Sequence, residues 1–156
     1  MAADSKGRPY IATYWRSEGS DTPQYRLVYH DGSQWKTVTA GSRSTPFSLS
    51  GGGTKRIPIS RPKVLIDRQD RVFIVFRDAE RGDRVSVAIG ESPSLERWRI
   101  EDLTAETVGL WEPSYDTRLW ERDNVLNLFV QFVGQGDAET LEELPPQMIF
   151  IVEWKP

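Results

Sequence analysis

Short apolar runs separated by turn signals dominate the hydrophobic pattern of this chain. Three of them, at 7–14, 70–77 and 123–130, open on a turn residue and continue through mostly apolar or aromatic positions. That pattern is typical of a tight turn leading into a β-strand. In the middle run every position from Val72 to Phe76 is apolar, which predicts a strand that is buried on both faces of its sheet.

A second strand and a tryptophan follow each run at a similar distance. The second strands are predicted at 25–29, 84–89 and 148–152. The tryptophans Trp35, Trp98 and Trp154 recur at nearly equal intervals, and so do the run openings at positions 7, 70 and 123. A period of roughly 50–60 residues that holds four strands is typical of a β-propeller blade.

The repeat predicts an all-β fold: a partial β-propeller of about three four-stranded antiparallel blades, with the first and last incomplete. We expect a single domain over 1–156, with blades at approximately 1–45, 55–104 and 111–156. The middle blade would have strands at 61–66, 71–76, 84–89 and 98–103. The first blade would lack its innermost strand, and the last would begin with a strand near 114–119. No amphipathic helix is predicted, and 138–144 is interpreted as a loop with at most one helical turn.

Composition excludes several classes of function. The net charge is −3 and no Lys/Arg stripe occurs, so we expect no nucleic-acid partner. No apolar run approaches the ~20 residues that span a bilayer, so we expect no membrane span. Cysteine is absent and only one histidine is present, so we expect neither a metal site nor a cofactor.

The single histidine lies in a turn with a distinctive composition. His30 precedes Asp31-Gly32, and Trp35 follows shortly afterwards. In such a turn the Asp accepts backbone N–H bonds, the Gly permits a positive φ, and the Trp is expected to pack between blades. We expect His30 to lie away from the ligand-binding end of the blades.

A Gly-rich loop at 48–53 is followed by three cations, Lys55, Arg56 and Arg61. In a propeller this loop would lie at the ligand-binding end, with Arg61 pointing to the axis and Arg77 nearby. Two converging guanidinium groups suit a carboxylate, which they bind bidentately. The alternative is that these arginines pair with acidic neighbours and close the blade junction; the available acids are Asp78, Glu80, Asp83 and Glu112.

The equivalent loop of the next blade carries further candidates. Trp111 is a candidate for stacking on a sugar, and Glu112, Tyr115 and Asp116 supply groups for acid/base chemistry. Tyr14 and Arg16 close the first of the three runs and belong to the same end. The alternative for Trp111 and Tyr115 is core packing. The acidic segment 134–146 is interpreted as a solvated loop without a role.

Four segments of the chain have a distinctive sequence: Gly-Arg-Pro-Tyr-Ile-Ala-Thr-Tyr at 7–14, Tyr-His-Asp-Gly-x-x-Trp at 29–35, Ile-Pro-Ile-Ser-Arg-Pro at 57–62 and Val-Phe-x-Val-Phe-Arg-Asp at 72–78. Together they resemble the Asp-box β-propeller proteins known as the BNR-repeat family. The resemblance covers about two-thirds of the chain. Members of this family include seven-bladed lyases of ulvan and other rhamnose–uronate polysaccharides, and this chain would correspond to the C-terminal part of such a propeller.

The resemblance implies a polysaccharide lyase that acts on uronate-containing glycans by β-elimination. An arginine neutralises the uronate carboxylate, and Arg61 and Arg77 match that role by position. Tyr115 or Tyr14 would exchange protons, while Arg56, Lys55, Trp111, Glu112 and Arg16 would bind substrate. The family's lyases generally rely on a histidine, and this chain offers none at the ligand-binding end. A periplasmic or extracellular location is favoured for the parent protein, whose partner would be an acidic oligo- or polysaccharide.

Two alternatives remain open at this point. Arg56-Ile57-Pro58 resembles the Arg-Ile-Pro segment of sialidases, in which Arg56, Arg61 and Arg77 would imitate a carboxylate-binding triad. The other is a non-catalytic carbohydrate-binding or scaffold propeller. Three blades would also leave open sheet edges, which predicts self-association through them.

Overall fold

Strands make up most of the regular structure of the chain. The computed structural model describes residues 1–51, 53–91, 93–140 and 142–156, so Gly52 of the Gly-rich loop lies outside the described residues. In chain order the elements are β1 (Ala2–Ala3), β2 (Pro9–Trp15), β3 (Gln24–His30), β4 (Trp35–Thr39), β5 (Lys63–Ile66), β6 (Val72–Asp78), β7 (Arg84–Gly90), β8 (Trp98–Asp102), α1 (Thr117–Asp123), β9 (Leu126–Val130) and β10 (Phe150–Trp154). Two 3-10 turns lie at Ala79–Arg81 and Asp137–Glu139.

The strands form three antiparallel sheets. The first has the order β1-β2-β3-β4, the second β5-β6-β7-β8, and the third β10-β9. Within each sheet, every strand pairs with the strand that precedes or follows it in the sequence. The prediction of a mostly β chain built from four-stranded antiparallel sheets is confirmed.

The middle sheet is packed on both faces. All seven residues of β6 are buried. Ile74 and Phe76 pack against residues of the first sheet, while Phe73 and Val75 pack against residues of the third. Because successive side chains of a strand point to opposite faces, a run without polar positions is what a two-sided sheet requires. The prediction of two-faced burial for this strand is confirmed.

The first two sheets each have the same type of turn between their first and second strands. The buried carboxylate of Asp4 accepts hydrogen bonds from the backbone N–H of Arg8 (2.9 Å) and from its Nε (2.6 Å). Asp67 makes the same two bonds to Arg71, at 2.8 and 2.6 Å. Asp4 and Asp67 therefore hold equivalent positions, as do Arg8 and Arg71, and this equivalence provides the register that aligns the two sheets.

A residue with a positive φ lies two positions before the first residue of β2, of β6 and of β9. Gly7 (φ 75°), Asp70 (φ 59°) and Asn124 (φ 57°) all have left-handed backbones, which glycine and asparagine adopt most readily. The third run therefore opens at Asn124, and the predicted opening at Asp123 is wrong by one position. The correction changes which face each side chain of β9 occupies.

Two predictions about the innermost strands are wrong. The first sheet does have an inner strand: Ala2 of β1 lies opposite Tyr10, as Leu65 of β5 lies opposite Phe73. Two alanines make no visible apolar run, so the sequence pattern missed this strand. In the third sheet the expected strand near 114–119 is replaced by α1 and by a single bridge between Tyr115 and Leu128.

The α1 helix has a defined cap at each end. Asp116 accepts hydrogen bonds from the backbone N–H groups of Arg118 and Leu119, and Asn124 ends the helix with a left-handed backbone. The expected turn at 138–144 is the 3-10 turn Asp137–Glu139, and Leu141 of that range lies outside the described residues. Within the part of the chain that the structure describes, no helix combines the length and apolar character needed to cross a membrane.

The third tryptophan marker does not match the other two. Trp35 and Trp98 begin the outermost strands β4 and β8. Trp154 instead ends β10, opposite Leu126, and so occupies the position of the third strand of a sheet. The near-equal spacing of the three tryptophans is thus a coincidence for the last pair.

Candidate functional site

A cleft of about 450 Å³ lies at the end of the sheets where β2 and β6 end and β5 begins. It is formed by the loop that enters β5, the last residues of β2 and β6, and the loop that precedes α1. Five of the nine candidate residues from the sequence line it: Tyr14, Lys55, Arg61, Arg77 and Glu112. The repeat explains part of this grouping, since Tyr14 and Arg77 occupy equivalent positions when the Asp4 turn is aligned with the Asp67 turn.

Arg77 forms the buried floor of this cleft. Its side chain is 1% exposed and its Nη1 lies 2.7 Å from Oδ1 of Asp83. Its Nε donates to the carbonyl of Trp111 and its Nη2 to the carbonyl of Ile57, both at 3.3 Å. Because these contacts join three separate segments, Arg77 closes the junction between sheets, as the alternative interpretation of the sequence proposed.

Arg61 and Lys55 are the free cations of the cleft. Arg61 is exposed, and Lys55 is half-buried beside Gly51. Neither side chain makes an ion pair or a hydrogen bond with any described residue. Their charges therefore remain available at the mouth of the cleft, and an anion that enters would meet no intramolecular carboxylate already bound to them.

Glu112 and Tyr14 supply the groups of the cleft that can exchange protons. Oε2 of Glu112 accepts the backbone N–H of Arg61 at 2.9 Å, which fixes the carboxylate beside that arginine. Tyr14 packs edge-on against Tyr25 at 6.4 Å between ring centroids and lies next to Phe47. A carboxylate and a phenol that line one cleft can serve as base and acid for a substrate held between them.

Two aromatic candidates lie in the core instead. Trp111 is 4% exposed and its Nε1 donates to the carbonyl of Phe129 at 2.7 Å. Tyr115 is partly buried and packs against the core between the second and third sheets, and burial raises the pKa of its phenol. Core packing, the alternative weighed for both residues, is the arrangement observed here.

Arg56 contacts the acidic segment 134–146, which the sequence predicts to be a solvated loop. The backbone N–H of Arg56 donates to Oδ1 of Asp137 at 2.7 Å, and its Nη1 lies 3.4 Å from Oε1 of Glu142. The backbone of Ala138 donates to the carbonyl of Thr54 at 2.9 Å. The opposite charges of 134–146 and of the basic loop were the available signal for this contact between segments that lie far apart in the sequence.

The remaining cation, Arg16, lies outside the cleft. It follows the last residue of β2, its side chain is exposed, and it makes no ion pair within the described part of the chain. It shares the same end of the sheets with the cleft, as predicted from its place after the first run.

The Asp31 turn lies at the opposite end of the sheets. Oδ1 of Asp31 accepts the backbone N–H groups of Ser33 and Gln34 at 2.8 and 2.9 Å, and these bonds hold the pKa of Asp31 far below its usual range. His30 ends β3 at this end, away from the cleft. The turn therefore has the predicted backbone role, but Trp35 does not pack between sheets, because it is 58% exposed.

Among the described residues, no group of three or more His, Cys, Asp or Glu side chains is arranged to hold a metal ion.

Comparison with known proteins adds no relative. No protein-family model matches the chain, and no curated protein matches it either. The case for a function therefore rests on the residues of the cleft and on the repeat.

Proposed function

We propose that this chain is part of a carbohydrate-active β-propeller whose cleft binds the carboxylate of a uronate-containing glycan and promotes β-elimination. The observation that carries the proposal is the pair of unpaired cations, Arg61 and Lys55, beside Glu112 and Tyr14 in one cleft of the described chain. A guanidinium offers a carboxylate two parallel hydrogen bonds, which an ammonium cannot. Arg61 is therefore the principal carboxylate ligand and Lys55 an additional charge.

The propeller arrangement has support from the repeated packing of the sheets. The face of the first sheet that carries Tyr10 packs on the second sheet, and the equivalent face of the second sheet, which carries Phe73, packs on the third. Sheets related in this constant manner are the arrangement of successive propeller blades. Loops that join one sheet to the next then meet at one end, where this cleft lies.

The chemistry needs a charge neutraliser, a base and an acid. Arg61 binds the uronate carboxylate and stabilises the negative charge that develops on it when the C5 proton is removed. The free oxygen of Glu112 accepts that proton, the C4–O bond breaks, and the hydroxyl of Tyr14 donates a proton to the departing oxygen. One C–H bond and one C–O bond are lost, a C4=C5 double bond forms, and no redox partner is required.

The experiment is to incubate the chain with polyuronates and rhamnose–uronate polymers and to follow the ultraviolet absorbance of the unsaturated product. Wild type is expected to form this product, and Glu112→Gln and Tyr14→Phe are each expected to slow it by about 100-fold or more. Arg97→Gln is the matched control, because Arg97 is an exposed cation in the turn between β7 and β8, at the other end of the sheets. Unchanged rates in both cleft variants would overturn the assignment.

A non-catalytic glycan-binding propeller is the second candidate, and one observation favours it. Of the four residues first considered for catalysis, Arg77 is held by Asp83 and Tyr115 is packed in the core. Binding of acidic glycans by wild type without product absorbance would support this candidate. The sialidase-like alternative loses support, because Arg56 and Arg77 of its proposed triad already face carboxylates.

A further inference from the structure

The outer faces of the first and third sheets carry large apolar side chains that are exposed. On the third sheet Phe129 and Ile151 lie opposite each other on β9 and β10 and are 51% and 56% exposed. On the first sheet Ile11 and Trp35 are 37% and 58% exposed. Large exposed apolar side chains that cluster on sheet faces mark binding surfaces.

The middle sheet shows what covers these positions in the repeat. Taking the left-handed residues Asp70 and Asn124 as equivalent, Phe129 corresponds to Val75 of β6. The residue opposite Val75 is Val87, which therefore corresponds to Ile151. Both valines are 0% exposed because the third sheet packs over them.

The exposed positions of the first sheet also correspond to buried positions of the middle sheet. With the Asp4 and Asp67 turns aligned, Ile11 corresponds to Ile74, and Trp35 and Trp98 each begin the outermost strand. Ile74 is 1% exposed and Trp98 packs against the core between the first two sheets. The outer face of the first sheet thus carries the same positions that, in the second sheet, pack against the sheet before it.

We infer that the outer face of the third sheet binds the outer face of the first sheet of a second copy, head to tail. Each contact between sheets within the chain joins two types of face: the forward face of one sheet packs on the backward face of the next. The third sheet has a free forward face, and the first sheet has a free backward face. The free face of the first sheet also carries Arg26, whose Nη1 donates to Thr39, and that of the third carries Glu153, which forms an ion pair with Lys155 at 3.2 Å, so the apolar positions carry this pairing. The Nε of Arg26 is buried without a partner among the described residues.

The test uses two variants that damage different faces. Ile151→Arg alters the outer face of the third sheet, and Trp35→Arg alters that of the first. A head-to-tail contact uses the third-sheet face of one copy and the first-sheet face of another. In a solution of either variant alone, every such contact includes a damaged face. In a mixture, the intact face of one variant can bind the intact face of the other. Leu49→Arg is the control, because Leu49 is 53% exposed on a loop outside both faces.

Sedimentation equilibrium of wild type is expected to show a concentration-dependent mass above that of one chain, and the control is expected to match it. Each face variant alone should associate at least tenfold more weakly, with unchanged circular dichroism. An equimolar mixture of the two should regain a species of twice the chain mass. A monomeric wild type, or a mixture no more associated than either variant alone, would overturn the inference.

Discussion

At the scale of single residues, each of the two Asp–Arg turns has a buried carboxylate that accepts several hydrogen bonds. The side chain of Asp67 is fully buried and accepts hydrogen bonds from the backbone N–H groups of Gln69 and Arg71 and from the Arg71 guanidinium. Removing the carboxylate takes away the acceptor of these part-buried hydrogen bonds, and a hydrogen bond to a charged group contributes about 1.5–3 kcal/mol. The Asp67 side chain thus adds three hydrogen bonds to the two backbone bonds that close the turn, from Asp67 N–H to the carbonyl of Arg71 and from Asp70 N–H to the carbonyl of Asp67.

Asp67→Ala is expected to lower the free energy of unfolding by about 3 kcal/mol, measured by urea denaturation. Glu106→Ala, at an exposed position, should change it by less than about 0.5 kcal/mol. If the two variants unfolded at the same urea concentration, the turn would not hold β5 and β6 in the way described.

Asp102 makes stability depend on pH in the acid range. Desolvation works to raise its pKa, but hydrogen bonds from the Arg81 guanidinium (2.8 and 2.6 Å) and the Ser86 hydroxyl (2.8 Å) hold it below the ordinary value of 3.8. A carboxyl whose pKa is lowered by folding stabilises the native state above its unfolded pKa, and this contribution is lost as the pH falls through the lowered value.

The free energy of unfolding is therefore expected to fall as the pH is lowered below about 4. Asp102→Asn should flatten this slope, because the asparagine cannot take up the proton. The measurement is urea denaturation at a series of pH values between about 2 and 6. An identical slope in wild type and Asp102→Asn would contradict this role of the Arg81 contact.

At the scale of elements, α1 shows how a local signal prevails over the repeat. Asp116 and Asn124 are typical residues for the two ends of a helix, and Trp120 anchors its single buried side, with Nε1 donating to the carbonyl of Ile66. The expectation of a strand at 114–119 came from the repeat alone. The capping residues were visible in the sequence and outweighed it.

Asp116→Ala is expected to cost about 1 kcal/mol of stability through the loss of this cap. Asp116→Asn, which can still accept the N–H of Leu119, should lose less than half of that amount. Urea denaturation again provides the measurement. Equal losses in both variants would mean that the cap bond does not stabilise α1.

How far the elements follow from the sequence depends on length and pattern. The continuous apolar run of β6 located that strand closely, because few other structures bury every position. β1 has only two alanines, so nothing but its pairing with β2 defines it. The order of the sheets follows from the repeat, whereas the shift by one position at Asn124 depends on a backbone conformation that composition does not reveal.

At the scale of the whole molecule, the end of the sheets that bears the cleft could be predicted, but not the state of each arginine. Arg61 and Arg77 were expected to converge, and both line the cleft. Whether each guanidinium group is free depends on tertiary contacts. Asp83 forms an ion pair with Arg77, whereas Glu112 accepts a hydrogen bond only from the backbone N–H of Arg61. The sequence contained both possibilities, and only packing distinguishes them.

The proposed function depends on the free guanidinium of Arg61 binding the carboxylate of an acidic glycan. The most direct test is calorimetric titration of a uronate oligosaccharide and of its neutral counterpart into wild type, Arg61→Gln and Arg97→Gln. Wild type is expected to bind the acidic form, Arg61→Gln to weaken this binding at least tenfold, and Arg97→Gln to stay within about twofold of wild type. Equal affinity of wild type for the neutral oligosaccharide, or an unaffected Arg61→Gln, would contradict it.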